Sequence, residues 1–139
     1  MKMTLLIALG LLVLVPVLWV RLAPSDPARW HVDPATAPDP ATPNFARREA
    51  VIALPPDSLA ARLDALAEAE GAVRLAGDAR HATFVTRTRL MRYPDYISIR
   101  LEPAPEGTRV TAFSRARFGH GDMGVNRARL KRWFAALEG

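Results

Sequence analysis

Residues 83–118 read TFVTRTRLMRYPDYISIRLEPAPEGTRVTAFSRARF, and this stretch decides the fold. Three runs of alternating character lie in it, His81–Arg92, Tyr96–Glu102 and Thr108–Phe118, with Tyr93-Pro94-Asp95 and Pro103–Gly107 as turns between them. Successive side chains on a strand point to opposite faces. Phe84, Thr86, Thr88 and Leu90 therefore share one face of the first strand, and Val85, Arg87, Arg89 and Met91 the other. In the second, Tyr96, Ser98 and Arg100 oppose Ile97, Ile99 and Leu101. In the third, Arg109, Thr111, Phe113, Arg115 and Arg117 oppose Val110, Ala112, Ser114 and Ala116. Pairing across the turns gathers the arginines around Phe113 and Tyr96 on one face and leaves an apolar face for helices.

Outward from this core, Ala50–Leu54 reads as a short strand and Val73–Ala76 as a weak one. Pro55-Pro56-Asp57-Ser58 opens a helix with Asp57 or Ser58 as cap; Leu59, Leu63 and Leu66 repeat at helical spacing, and Gly71 stops it. Met123–Leu137 places Leu130, Trp133, Phe134 and Leu137 on one helical stripe. The order is β-α-β-β-β-β-α. The fold class is α+β: an antiparallel sheet of four to five strands with two helices on one face, preceded by a single transmembrane helix.

That helix is read from Met3–Val20, eighteen residues without a charge and apolar apart from Thr4. At about 1.5 Å per residue it reaches roughly 27 Å, close to the ~30 Å hydrocarbon core. A cleaved signal peptide also begins with a lysine and an apolar run, but Trp19–Pro24 contains no small-x-small cleavage site, and Trp19 and Arg21 suit interfacial anchoring. Residues 1–22 are thus expected as a membrane anchor, 23–44 as a linker and 45–139 as the folded domain. Six prolines between Ala23 and Asn44 predict a semi-rigid, extended spacer, with Trp30 and His31 free to dock on the domain or the membrane interface. Positive charges flanking the anchor nearly tie, so they do not orient it. No cysteine is present, which excludes disulfides and lipid attachment through cysteine.

Between Thr83 and Trp133 eleven basic side chains stand against four acidic ones, in a chain of net charge +5. Two readings of the arginine face are open. An exposed sheet face must be polar, and arginine covers it with an aliphatic stem and a charged head. Alternatively, clustered guanidinium groups bind an anion bidentately, with Arg87, Arg89, Arg115 and Arg117 around it.

Gly119-His-Gly-Asp-Met-Gly124 spells G-x-G-x-x-G. A dinucleotide site needs a parallel βαβ unit and an acid about twenty residues on, whereas fifteen residues follow Gly124. The glycines instead permit a tight strand-to-helix turn, with Asp122 capping the helix. Phe84–Leu90 with Tyr93-Pro94-Asp95, followed by Ser114, Arg117, Gly119, Asp122, Gly124, Asn126 and Arg129 at their spacing, resembles the bacterial and plastid family called domain of unknown function 1499 (DUF1499). The resemblance spans about Pro43–Leu137. It implies an exported domain held by a membrane or lipid anchor, with no assigned reaction, and nominates Asp95, Ser114, Arg117, Asp122, Asn126 and Arg129. Many members carry a cysteine after the Pro-Asn near the domain start; here Phe45 follows Pro43-Asn44. In a wholly structural version, Asp122 caps, Asn126 bonds the turn, and Arg117 or Arg129 pairs with Asp95.

Other chemistry is poorly supplied. His31, His81 and His120 are scattered, Ser58, Ser98 and Ser114 lack a nucleophile elbow, and no metal or cofactor is expected. The basic run Arg127–Trp133 reads as the polar side of an amphipathic helix rather than a nucleic-acid site. The expected function is a non-catalytic binding module in the cell inner membrane, its domain periplasmic as the resemblance implies, with an anion or lipid-headgroup site of Arg87, Arg89, Asp95, Arg115, Arg117, Asp122, Asn126 and Arg129. The alternatives are a hydrolase-like enzyme using His120 and Asp122 on an anionic substrate, and a structural or protein-partner module.

Overall fold

The computed structural model describes residues 1–139. Helix α1 (Lys2–Leu22) is apolar, solvent-exposed and, at a mean hydropathy of 2.7, long enough to cross a bilayer. A single turn, α2 (Pro27–Trp30), follows, with Asp26 accepting a hydrogen bond from Ala28 N. Then come β1 (Phe45–Ile52), α3 (Pro56–Ala69), β2 (Val73–Gly77), β3 (His81–Arg87), β4 (Pro94–Ala104), β5 (Gly107–Ala116) and α4 (Val125–Glu138).

The five strands form one antiparallel sheet in the order β1-β5-β4-β3-β2. Its apolar face presents Phe84, Ile97, Ile99, Val110 and Ala112 to Leu59 and Leu63 of α3 and to Leu130, Trp133, Phe134 and Leu137 of α4. Phe84 and Trp133 meet edge to face with ring centroids 6.0 Å apart. The α+β expectation, with both long helices on one face, describes this architecture.

Element ends depart from the sequence reading where turn chemistry intervenes. The first strand stops at Arg87, and Thr88–Tyr93 forms a closed loop in which Thr88 N bonds Tyr93 O, Arg92 N bonds Thr88 O, and Arg92 adopts φ 60°. Pro94 and Asp95 belong to β4, not to a turn. Strand β1 starts at Phe45, five residues earlier than Ala50. Helix α3 begins on Pro56 with Pro55 at its cap position and no side-chain cap, because proline at the first turn forfeits no hydrogen bond. Asp57 instead reaches Arg80.

The segment between α1 and β1 is not an extended spacer. It runs back across the second face of the sheet as a strap. Ala23, Pro34 and Asn44 are buried along it. The approach is close: a Cβ placed on Gly77, at φ +94°, would fall 2.0 Å from His81 O and 2.8 Å from His31 Cε1.

Candidate functional site

The strap is held by the residues that alternation put on the polar face. Register sets Tyr96 beside Arg115 and Ser98 beside Phe113, with Arg47 on the other side of Phe113. Trp30 lies flat on Tyr96, ring centroids 4.0 Å apart. Arg115 donates to Trp30 O, Ser98 Oγ (3.1 Å) and Phe113 O (3.2 Å). Arg117 donates to Pro24 O at 2.7 Å. Arg47 donates to Pro34 O and Ala37 O and pairs with Asp39 at 2.7 Å. Arg100 pairs with Asp33, and His81 Nε2 bonds Val32 O at 2.9 Å. Backbone carbonyls of the strap thus occupy donors that sequence reading offered to solvent or to an anion.

Arg115 is 4% exposed and has no carboxylate partner. Its guanidinium sits 4.7 Å from the Phe113 ring and 5.9 Å from those of Trp30 and Tyr96. Aromatic faces and carbonyl dipoles replace the missing counter-charge. Burial, reinforced by Arg47, lowers its pKa to about 10, with Tyr96 opposing. Beside it a groove of about 360 Å³ opens between strap and sheet, lined by Arg29, Trp30, Asn44, Phe113 and Arg117 among others. The Trp30 ring is ringed by three guanidinium groups: Arg29 at 5.0 Å, Arg117 at 5.8 Å and Arg115 at 5.9 Å.

The motif residues other than Arg117 converge on the helix side of the same sheet end. Arg129 donates to Asp95 Oδ2 (2.7 Å), Asn126 Oδ1 (2.8 Å) and Ser114 Oγ (3.2 Å). Ser114 donates to Asn126 Oδ1 at 2.6 Å. Asn126 Nδ2 in turn donates to Asp122 Oδ2 (2.7 Å) and Asn44 O (3.1 Å), and Asn44 Nδ2 to Gly119 O (2.7 Å). Asp122 also accepts from the backbone N–H of Gly124 and Asn126. Burial raises the Asp95 carboxyl above its ordinary range despite the pull of Arg129. Burial pushes Asp122 the same way, but its Asn126 and Gly124 donors outweigh that and leave it lowered. The group is mutually satisfied and, apart from the half-buried Asp122, buried, so it fixes the β5–α4 turn against β4. Asp122 has no hydrogen bond to His120, which is exposed.

Arg87 and Arg89 lie apart from Arg115 and Arg117. With Arg92, Glu70 and Thr86 they line a second cavity of about 390 Å³ towards β2. The eight nominated residues therefore fall in three places: the strap groove, the buried network and this cavity. Arg29, Trp30, Asn44 and Arg92 were missed. An aromatic pair inside a proline-rich segment was the one signal for Trp30.

An apolar helix followed by a strapped five-stranded α+β domain is the class that this geometry defines. The chain belongs to the family described as "Protein of unknown function (DUF1499)", whose model matches residues 21–137, strap included. No curated protein matches. Among solved structures, protein MLL2253 from Mesorhizobium loti is similar at 13% identity and TM-score 0.49, covering 68% of this chain and 93% of that one. Ara h 8.0201 follows at 12% identity and TM-score 0.46, with 68% and 95% covered. Protein CV1439 from Chromobacterium violaceum has 17% identity and TM-score 0.41, with 69% and 96% covered.

Proposed function

We propose that this chain is a membrane-anchored, non-catalytic binding module whose strap groove takes an anionic group, with α1 as an uncleaved span of the inner membrane and the domain on its periplasmic side. One observation carries the binding reading: Arg29, Arg115 and Arg117 surround Trp30 and none of them is paired with a carboxylate. Asp39 also lines the groove, but Arg47 engages it. Like charges gathered on one indole repel, and a phosphate or carboxylate among them relieves that repulsion while accepting bidentate hydrogen bonds.

The test is thermal unfolding of the full chain in zwitterionic micelles, titrated with inorganic phosphate, pyrophosphate and glycerol phosphate. A saturable rise in Tm that Arg117→Gln and Arg29→Gln each weaken supports the groove, because a ligand that binds only the folded state stabilises it. A flat response to all three would leave the arginines with roles inside the fold alone and end the proposal.

A further inference from the structure

A different surface, at the end of the domain nearest α1, has its own chemistry. Arg21, in the last turn of α1, donates to Leu90 O at 3.2 Å, and Arg117 holds Pro24 O. The loops 88–93 and 117–124 therefore flank the point where the apolar helix ends. Within the first loop Leu90 is 82% exposed, and in the second Met123 is fully exposed. Arg92 and Met123, at φ 60° and 53°, are the chain's two non-glycine residues with positive φ, so each loop holds a strained conformation.

Charge is divided along the molecule. At the α1 end Arg87, Arg89 and Arg92 have no ion-pair partner; of the acids there, Glu70 pairs with Arg132, Asp95 with Arg129, Asp122 holds the start of α4 and Asp26 caps α2, which leaves Glu68 as the unpaired one. The opposite end carries Asp57, Asp78 and Glu106 with Arg80 as the basic residue in its loops. A basic rim with projecting apolar side chains next to a hydrophobic helix is the composition of a surface that rests in a bilayer interface.

We propose that this end of the domain is seated on an anionic phospholipid surface, with Leu90 and Met123 in the interfacial layer and Arg87, Arg89 and Arg92 on lipid phosphates. The inference rests on α1 being a membrane span and is independent of the strap groove. The tether keeps the rim within reach of the headgroups, so each basic side chain acts at short range, within the Debye length.

Because the chain has no cysteine, single Leu90→Cys, Met123→Cys and Glu106→Cys variants give unique labelling sites. Each full-length protein is labelled with an environment-sensitive fluorophore and placed in nanodiscs of phosphatidylcholine, with or without phosphatidylglycerol, containing lipids that carry a shallow quencher. Labels at 90 and 123 are expected to be quenched, more strongly with phosphatidylglycerol, and the label at 106 to be untouched. Adding Arg89→Gln and Arg92→Gln should reduce the seated population on the order of tenfold. These exposed changes should leave cooperative unfolding and any phosphate-induced Tm rise intact, which separates this surface from the groove. Quenching at 90 and 123 no greater than at 106 would overturn the proposal; quenching indifferent to phosphatidylglycerol and to both arginines would remove the headgroup contacts and overturn it equally.

Discussion

Trp30 and Tyr96 stack with their planes 8° from parallel, one ring from the segment after the apolar helix and the other from the centre of the sheet. Tyr96 is wholly buried because of it, and its hydroxyl meets Ser25 Oγ at 2.8 Å. The stack makes the strap part of the folded domain.

Trp30→Ala should therefore free the strap without unfolding the sheet. The expected loss is about 1–3 kcal/mol, from the stacking and the apolar area together. Chemical denaturation of the full chain measures it. Limited proteolysis should show faster cleavage within residues 31–43 while the core fragment persists.

Arg115→Lys should release the same segment for a different reason. An ammonium cannot reproduce the fork that serves Trp30 O, Ser98 Oγ and Phe113 O together, nor lie flat among three rings. Destabilisation of about 1–3 kcal/mol is expected, and it should add less than fully to Trp30→Ala, since both changes act on one contact.

In the buried network, Arg129→Met leaves Asp95 without its donor and Asn126 Oδ1 with Ser114 alone. Removing one partner of such a pair costs about 3–5 kcal/mol. Introducing Asp95→Asn into that background should recover part of the loss, because the orphaned carboxylate is gone. A double-mutant cycle by denaturant unfolding checks this, and a double variant no more stable than Arg129→Met would refute the pairing account.

Strap closure should also depend on pH through His31. Burial, with His81 stacked 4.2 Å away and Arg115 near, lowers its pKa below the ordinary 6.5, and Asp78 opposes. Arg115 donates to Ser98 Oγ, Ser98 lies 2.8 Å from Thr83 Oγ1, and Thr83 lies 2.9 Å from His31 Nδ1. The ordering that leaves no hydroxyl proton idle runs from Arg115 towards His31, whose Nδ1 accepts as a neutral ring. The unfolded chain takes up this proton at higher pH than the folded one, so stability falls as pH drops from about 6.5 towards the lower folded value and then levels off. His31→Gln should flatten that part of the profile, read as Tm against pH.

The sheet was legible because β4 and β5 alternate apolar with polar residues over Tyr96–Glu102 and Thr108–Ala116, and a helix cannot bury that period. The end of β3 was not, because Thr88, Arg89 and Leu90 continue the alternation while the backbone has already turned towards Pro94. Asp122, Asn126 and Arg129 announced one location by spacing, since residues three and four apart share a side of a helix turn. The separation of Arg87 and Arg89 from Arg115 depends on two strand pairings, which no local pattern records. The strap was hidden for a more general reason. Its main acceptors are backbone carbonyls, which every residue has, so beyond the pair Trp30-His31 little in the side-chain pattern of residues 23–44 distinguishes a docked segment from an extended one.

Strand β5 lies between β1 and β4, yet it is the last strand to be synthesised. Until residue 116 is available, β1 has no neighbour, and until Arg115 and Arg117 arrive the strap has lost two of its fasteners. Nearly the whole polypeptide must therefore be present before the first strand can pair, which favours slow, late assembly over growth from the amino terminus.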